Sequence, residues 1–172
     1  MPVYVFRLSH RASRDKRITT HCALVARALG AAGFVYSGQK DPHLEESVKK
    51  VVRQWGGKFT IEYTNRWQTF FREWKGKIVH LTVYGMPLEK KIPEIRKARG
   101  NILVVIGGEK VPSDVYKEAG WNISVTNQPH SEVAALALFL DRYFHGKAFD
   151  AEFPEARIKV IPRKRGKKVI KH

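Results

Sequence analysis

Asn122-Ile-Ser-Val-Thr-Asn-Gln-Pro-His-Ser-Glu-Val-Ala-Ala-Leu-Ala-Leu-Phe-Leu-Asp-Arg142 reads as a short strand, a polar turn and a long apolar helix. Ile123 to Val125 form the strand and Thr126-Asn127-Gln128 the turn. Pro129 fits the first helical position, where its fixed φ helps and its missing N–H costs nothing. Apolar residues then recur at 133, 136, 137, 140, 143 and 144, one face of a 3.6-residue period. Leu138 and Phe139 lie off that face and are candidates to cover a partner. Asn127, Gln128, His130, Ser131 and Glu132 crowd the junction. A strand feeding a helix through a polar turn is where open α/β proteins place ligands. The same pattern also describes a plain capped core helix.

Outward from this stretch the chain keeps alternating. Ile102-Leu-Val-Val-Ile106 is five consecutive aliphatics, a buried parallel strand. Val3–Leu8, Phe34–Tyr36, Lys58–Tyr63 and Lys77–Tyr84 also read as strands, and Arg157–Ile161 as a last one. Helices are expected over Lys16–Leu29, His43–Trp55, Arg66–Trp74 with Asn65 as its cap, Leu88–Arg99 interrupted at Pro93, and Pro112–Glu118. Trp67, Phe70, Phe71 and Trp74 fall at i, i+3, i+4 and i+7, which fits core packing or base stacking. The class is α/β, a mostly parallel sheet with helices on both faces.

The 172 residues suit one core. Thirty-two Lys and Arg against 16 acids give a net charge of +16, which points to a polyanionic partner, nucleic acid or an anionic membrane surface. No stretch approaches the ~20 apolar residues of a membrane span. No basic segment precedes an apolar run at Met1-Pro-Val-Tyr-Val-Phe6, so no signal peptide is read there. The one cysteine, Cys22, cannot form an internal disulfide. A cytoplasmic protein is expected. Residues 163–172 form a basic tail with six Lys/Arg and no acid.

Three loops share glycines and small polar groups after a strand: Tyr84-Gly-Met-Pro87, Ile106-Gly-Gly-Glu-Lys-Val-Pro112 and Val125-Thr-Asn-Gln-Pro-His-Ser-Glu132. If their strands are neighbours, the loops meet in one crevice. Its backbone groups can read an adenine edge, and its aliphatic side chains can sandwich the ring. A P-loop and Gly-x-Gly-x-x-Gly are both absent. His130-Ser-Glu132 has the His-x-Glu form of a deaminase, but the paired cysteines are missing, so no metal is expected. A second cluster, Arg14-Asp-Lys-Arg-Ile-Thr-Thr-His21, puts Arg17 and His21 on one helix face with Arg14 a turn earlier, beside His10 and Arg11. Cations are disfavoured at a helix N-terminus unless an anion binds there, and arginine pairs bidentately with phosphate.

Residues 14–21, 106–112 and 127–142 together resemble the motifs of the archaeal tRNA ribose 2′-O-methyltransferase family that acts on the cytidine at position 56, in the SPOUT class. The likeness spans about residues 3 to 147. It implies a C-terminal trefoil knot, a homodimer, S-adenosyl-L-methionine as cofactor and the tRNA T-arm as substrate. It also implies a single SPOUT-like domain over 1–162. By position, the cofactor residues are Leu81, Gly107, Gly108, Glu109, Lys110, Val111, Val125, Thr126, Asn127, Gln128, Pro129, His130, Ser131 and Glu132. Arg17, Arg14 and His21 are the residues expected to face the ribose, with Arg27 a competing match for the arginine. Arginine is a poor base, so Arg17 is expected to hold a phosphate. His21, His130, Glu132 and a phosphate oxygen are the candidate proton acceptors. The alternative reading is a non-catalytic basic RNA-binding protein, separated by whether the chain binds S-adenosylmethionine.

Overall fold

The protein is described by a computed structural model that covers residues 1–108 and 110–172. Six strands form one sheet: β1 (Val3–His10), β2 (Gly33–Gly38), β3 (Thr60–Tyr63), β4 (Gly76–Pro87), β5 (Asn101–Gly107) and β6 (Trp121–Ser124). They lie in the order β3-β2-β1-β5-β4-β6, and every neighbouring pair is parallel. Burial explains the aliphatic run in β5, because that strand lies between β1 and β4 and is covered on both faces. Side chains alternate across the pleat. Ile102, Val104 and Ile106 join the core under α1 (Lys16–Ala28), α2 (Pro42–Trp55), α4 (Leu88–Lys97) and α6 (Glu132–Phe144). Leu103 and Val105 face the opposite core, closed by α3 (Trp67–Glu73) and α5 (Ser113–Glu118).

The aromatic set of α3 belongs to that second core. Phe71 is buried edge-on to Phe6, Phe70 packs on Phe6, and Trp74 meets Tyr4. Packing therefore accounts for the i, i+3, i+4, i+7 spacing. Arg66, not Asn65, occupies the position before α3, and no side chain caps it. Pro93 does not break α4, which runs through it to Lys97.

Residues 122–142 depart from their sequence pattern in three places. β6 ends at Ser124, one residue before the expected Val125. The helix starts at Glu132, where Ser131 caps it by accepting from Val133 N, so Pro129 stands in the loop before the helix. Phe139 is fully buried, whereas Leu138 is 46% exposed. The helix has a wide buried stripe because it packs on both α1 and α4 as well as the sheet.

Gly85-Met-Pro87 is also not a loop leaving β4. The strand pauses after Leu81, which pairs with Ile123, and rejoins the same Ile123 at Met86. The four residues between are displaced from the ladder. Beyond α6, a short 3-10 turn at 147–150 leads to two strands the size of a hairpin, β7 (Ile158–Val160) and β8 (Val169–Lys171), paired antiparallel. Residues 163–168 form the tip of this ribbon, and β8 returns along β7. Among the described residues no helix is long and apolar enough to cross a membrane.

Candidate functional site

Since β5, β4 and β6 are neighbours, the Gly107-Gly108 loop, the displaced part of β4 and the junction before α6 meet, as the grouping of the three stretches anticipated. Between them lies a cavity of about 570 Å³, within the range that holds small ligands and cofactors. Leu81, Ile106, Val111 and Ala135 supply apolar wall, Gly107-Gly108 supply backbone, and residues 82–84 line the space beside them. His130, Ser131 and Glu132 close one side, with Ile18 reaching in from α1.

Local chemistry holds this shape. Asn127 donates through Nδ2 to the carbonyls of Val83 and Gly85 and to Ser124 Oγ, tying the displaced part of β4 to the end of β6. Gly85 permits the close approach: a Cβ there would sit 2.5 Å from the backbone of Ile123. At Gly107 a Cβ would meet Val111 Cγ2 at 2.8 Å, whereas at Gly108 it would meet nothing within 4 Å.

Two polar groups escaped the sequence reading. Arg7 on β1 is 2% exposed and grips Glu132 with both arms of its guanidinium, Nη2–Oε1 at 2.8 Å and Nε–Oε2 at 3.2 Å. Its Nη1 lies 4.0 Å from Asp15 Oδ2, just ahead of α1. Asp15 also accepts from Arg11 N and Nε, each at 3.1 Å. Burial opposes the charge on Asp15, but the bonds from Arg11 and the nearby guanidinium charges outweigh it and hold its pKa low. A lone arginine in an apolar strand was the only available signal for this network.

His80 on β4 is fully buried and lines the cavity. Asn122 Nδ2 donates to Tyr116 O, which leaves Asn122 Oδ1 as acceptor for His80 Nδ1–H at 2.8 Å. That arrangement selects the tautomer with a bare Nε2, an acceptor that has no protein partner. Burial lowers the pKa of His80, partly offset by the bond to Asn122, so the ring stays neutral. Nε2 is itself buried, so it stands behind the cavity wall as an unpartnered acceptor.

The remaining expected residues are spread more widely. Lys110 lines a neighbouring cavity of about 520 Å³ with Ser9, His10, Arg11, Gln39 and Gly108. Val125 is half-buried against the main core, and Thr126, Gln128 and Pro129 are exposed away from the cavity wall. Glu109 lies outside the described residues. Arg14, Arg17 and His21 are exposed on and just before the first turns of α1, the helix whose Ile18 enters the cavity. Arg27 is at the other end of α1, donating to Gly56 O at 2.6 Å and stacking over Phe153. Among the described residues no group of three or more His, Cys, Asp or Glu is placed to hold a metal ion.

The family model described as tRNA ribose 2′-O-methyltransferase, aTrm56, matches residues 55–170. The chain belongs to this family. The tRNA (cytidine(56)-2′-O)-methyltransferase of Thermococcus kodakarensis is 51% identical, with 98% of this chain and 96% of the relative covered. The enzyme of the same description from Archaeoglobus fulgidus is 55% identical, with 99% of each covered. Among solved structures, the SpoU methyltransferase AviRb from Streptomyces viridochromogenes, in complex with AdoMet, shares the fold with a TM-score of 0.55 at 13% identity. The match covers 84% of this chain and 57% of that one, so the chain spans little more than half of that longer protein.

Proposed function

We propose that this protein transfers a methyl group from S-adenosyl-L-methionine to the 2′-oxygen of the cytidine at position 56 in the T-loop of tRNA. The observation that carries the reading is the convergence of the Gly107-Gly108 loop, residues 82–84 of the displaced segment and the His130–Glu132 junction on one cavity. Family membership narrows the substrate, since close relatives carry that description at about half identity.

The cavity fits the cofactor on its own terms. It combines apolar wall for a ring with bare backbone at Gly107 and Gly108, where a Cβ on Gly107 would crowd Val111 Cγ2 at 2.8 Å. Leu81, Ile106, Val111 and residues 82–84 would hold the adenosine part, and Ser131 and Glu132 would border the rest. When bound, the sulfonium supplies an activated methyl. The protein's part is to place the ribose oxygen in line with that methyl and to manage the proton.

Glu132 is a poor candidate for the proton, because both its oxygens are committed to Arg7. His130 is better placed: Nδ1–H donates to Ser131 O at 3.2 Å, leaving Nε2 as acceptor on the cavity wall. Arg14, Arg17 and His21 would face the RNA from α1, with Arg17 holding a phosphate beside the target nucleotide. Thr126, Gln128, Pro129, Lys110 and Glu109 belong to the proposed cofactor set on family membership alone. A homodimer, the trefoil knot and a cytoplasmic setting are part of this proposal, supported by family membership. The exposed Leu138 on α6 gives the dimer an apolar starting point.

A T-arm transcript carrying deoxycytidine at the target is the direct test. Methyl incorporation from labelled cofactor should occur with the ribose form and disappear with the deoxy form. Equal incorporation into both would remove the ribose as acceptor.

A further inference from the structure

Between Arg157 and His172 there are eight Lys/Arg and no acid, half of the net charge of +16 in 16 residues. These residues form the β7–β8 ribbon, whose ladder runs Ile158↔Lys171, Lys159↔Ile170 and Val160↔Val169. Five of the eight cations, Arg163, Lys164, Arg165, Lys167 and Lys168, stand around the tip, where Gly166 makes the turn at φ +77. The tip is exposed throughout, and no ion pair among the described residues engages any of these side chains.

The ribbon is mounted rather than dangling. Gly57 N donates to Pro154 O at 2.7 Å, and Arg157 N donates to Gln54 O at 2.9 Å. Phe153 sits beneath the buried Arg27 guanidinium, 4.6 Å from it. The anchor is therefore the C-terminal end of α2, which lies at the amino ends of the parallel strands, since β3 starts five residues later. The cavity lies at their carboxyl ends, on the far side of β1. A strand of about six residues at ~3.3 Å each puts roughly 20 Å between the two.

We propose that the β7–β8 ribbon is a second RNA-binding surface that grips the phosphodiester backbone of the tRNA away from the methylated nucleotide. This rests on the tRNA reading of the main site. The chemistry favours phosphate over other anions. The cations are concentrated on an exposed tip with no aromatic side chain between residues 157 and 172 to sit at a lipid interface. A ribbon of Lys and Arg contributes affinity that depends on salt and not on base sequence. It tightens tRNA binding without choosing the nucleotide.

The test replaces the five tip cations together (R163Q, K164Q, R165Q, K167Q, K168Q). Titration with S-adenosylhomocysteine checks that the variant keeps its fold and cavity. The variant should bind whole tRNA at least tenfold more weakly near 0.1 M salt, with a log K against log salt slope shallower by about two to four, at ~0.9 per phosphate neutralised. Methylation at subsaturating tRNA should fall in proportion. Unchanged tRNA affinity and slope would overturn the proposal, as would loss of binding to anionic phospholipid vesicles with tRNA binding intact. If the wild type transfers no methyl but the variant still loses tRNA affinity, the enzymatic reading fails and the ribbon stands.

Discussion

Arg7 and Glu132 are 125 residues apart and form a two-pronged ion pair between β1 and the first turn of α6. The guanidinium is nearly inaccessible, while Glu132 borders the proposed cofactor cavity. One contact thus fixes both the helix start and one cavity wall.

Breaking this pair from one side should be costly. Glu132→Ala leaves a buried guanidinium with Asp15 at 4.0 Å as its remaining carboxylate, and a loss of about 3–5 kcal/mol is expected. Replacing both partners by apolar residues, R7M with E132L, should restore much of that stability. Cofactor affinity should stay reduced in the double variant. Urea unfolding and calorimetric titration separate the two effects. Full recovery of cofactor affinity would show that Glu132 acts only through the fold.

The backbone of β4 offers a second prediction. Gly85→Ala forces a Cβ into Ile123 and should cost about 1–3 kcal/mol by overpacking, with loss of cofactor binding as the 82–85 segment shifts. Gly108→Ala, with nothing within 4 Å of the new Cβ, should leave stability unchanged within ~0.5 kcal/mol. Thermal melts of both variants check the contrast.

Acid should weaken the fold over two ranges. His10 is held below the usual histidine range by burial and by Arg7, with Asp41 and Asp15 opposing; its Nε2 lies 3.5 Å from Asp41 Oδ2. His80 is lowered by burial. For both, the unfolded chain binds protons that the folded chain resists, so stability is complete above 6.5 and declines as pH falls below that value. Asp15 and Asp41 have lowered pKa values, so their contribution is present above 3.8 and is lost as pH falls below it. Denaturant midpoints at pH 5.0 and 7.5 should differ, with a smaller difference in His80→Phe. Equal midpoints in the wild type would contradict the buried neutral histidines.

Cys22 is buried and its thiol is pushed up to about 12, chiefly by burial with Glu132 adding to it. It should resist a disulfide reagent in the native protein at pH 8 and react fully in denaturant. Fast native labelling would mean that α1 opens away from the sheet.

Arg17→Ala should lower methylation by roughly ten- to a hundredfold, the loss of one charge-assisted contact. S-adenosylhomocysteine affinity should persist, because Arg17 is exposed on α1 and does not line the cavity. Full methylation at saturating tRNA would remove Arg17 from the substrate face.

Local pattern carried much of this architecture. The aliphatic run 102–106 identified the central strand, and glycines or small polar groups after three strands pointed to the crevice, because both signals lie in contiguous residues. Partners distant in sequence were not legible. Nothing near Arg7 announces Glu132, and nothing near His80 announces Asn122. Gly85-Met-Pro87 looks like a loop after the strand because a register shift inside β4 has no sequence period of its own. Pro129 suits a helix start, yet the helix begins three residues later at Glu132, behind the Ser131 cap and nearer the apolar stripe. Phe139 was assigned to the surface by a one-stripe template, but α6 packs against several elements at once. The basic stretch after Arg163 read as a tail because its pairing with β7 depends on the turn at Gly166.

The central claim is that one ribose oxygen receives the methyl. Mass mapping of nuclease fragments from tRNA incubated with this protein and isotopically labelled S-adenosylmethionine tests it most directly. The account predicts a single labelled methyl on the 2′-oxygen of cytidine 56. A labelled methyl on a base, or on a different nucleotide, would contradict it.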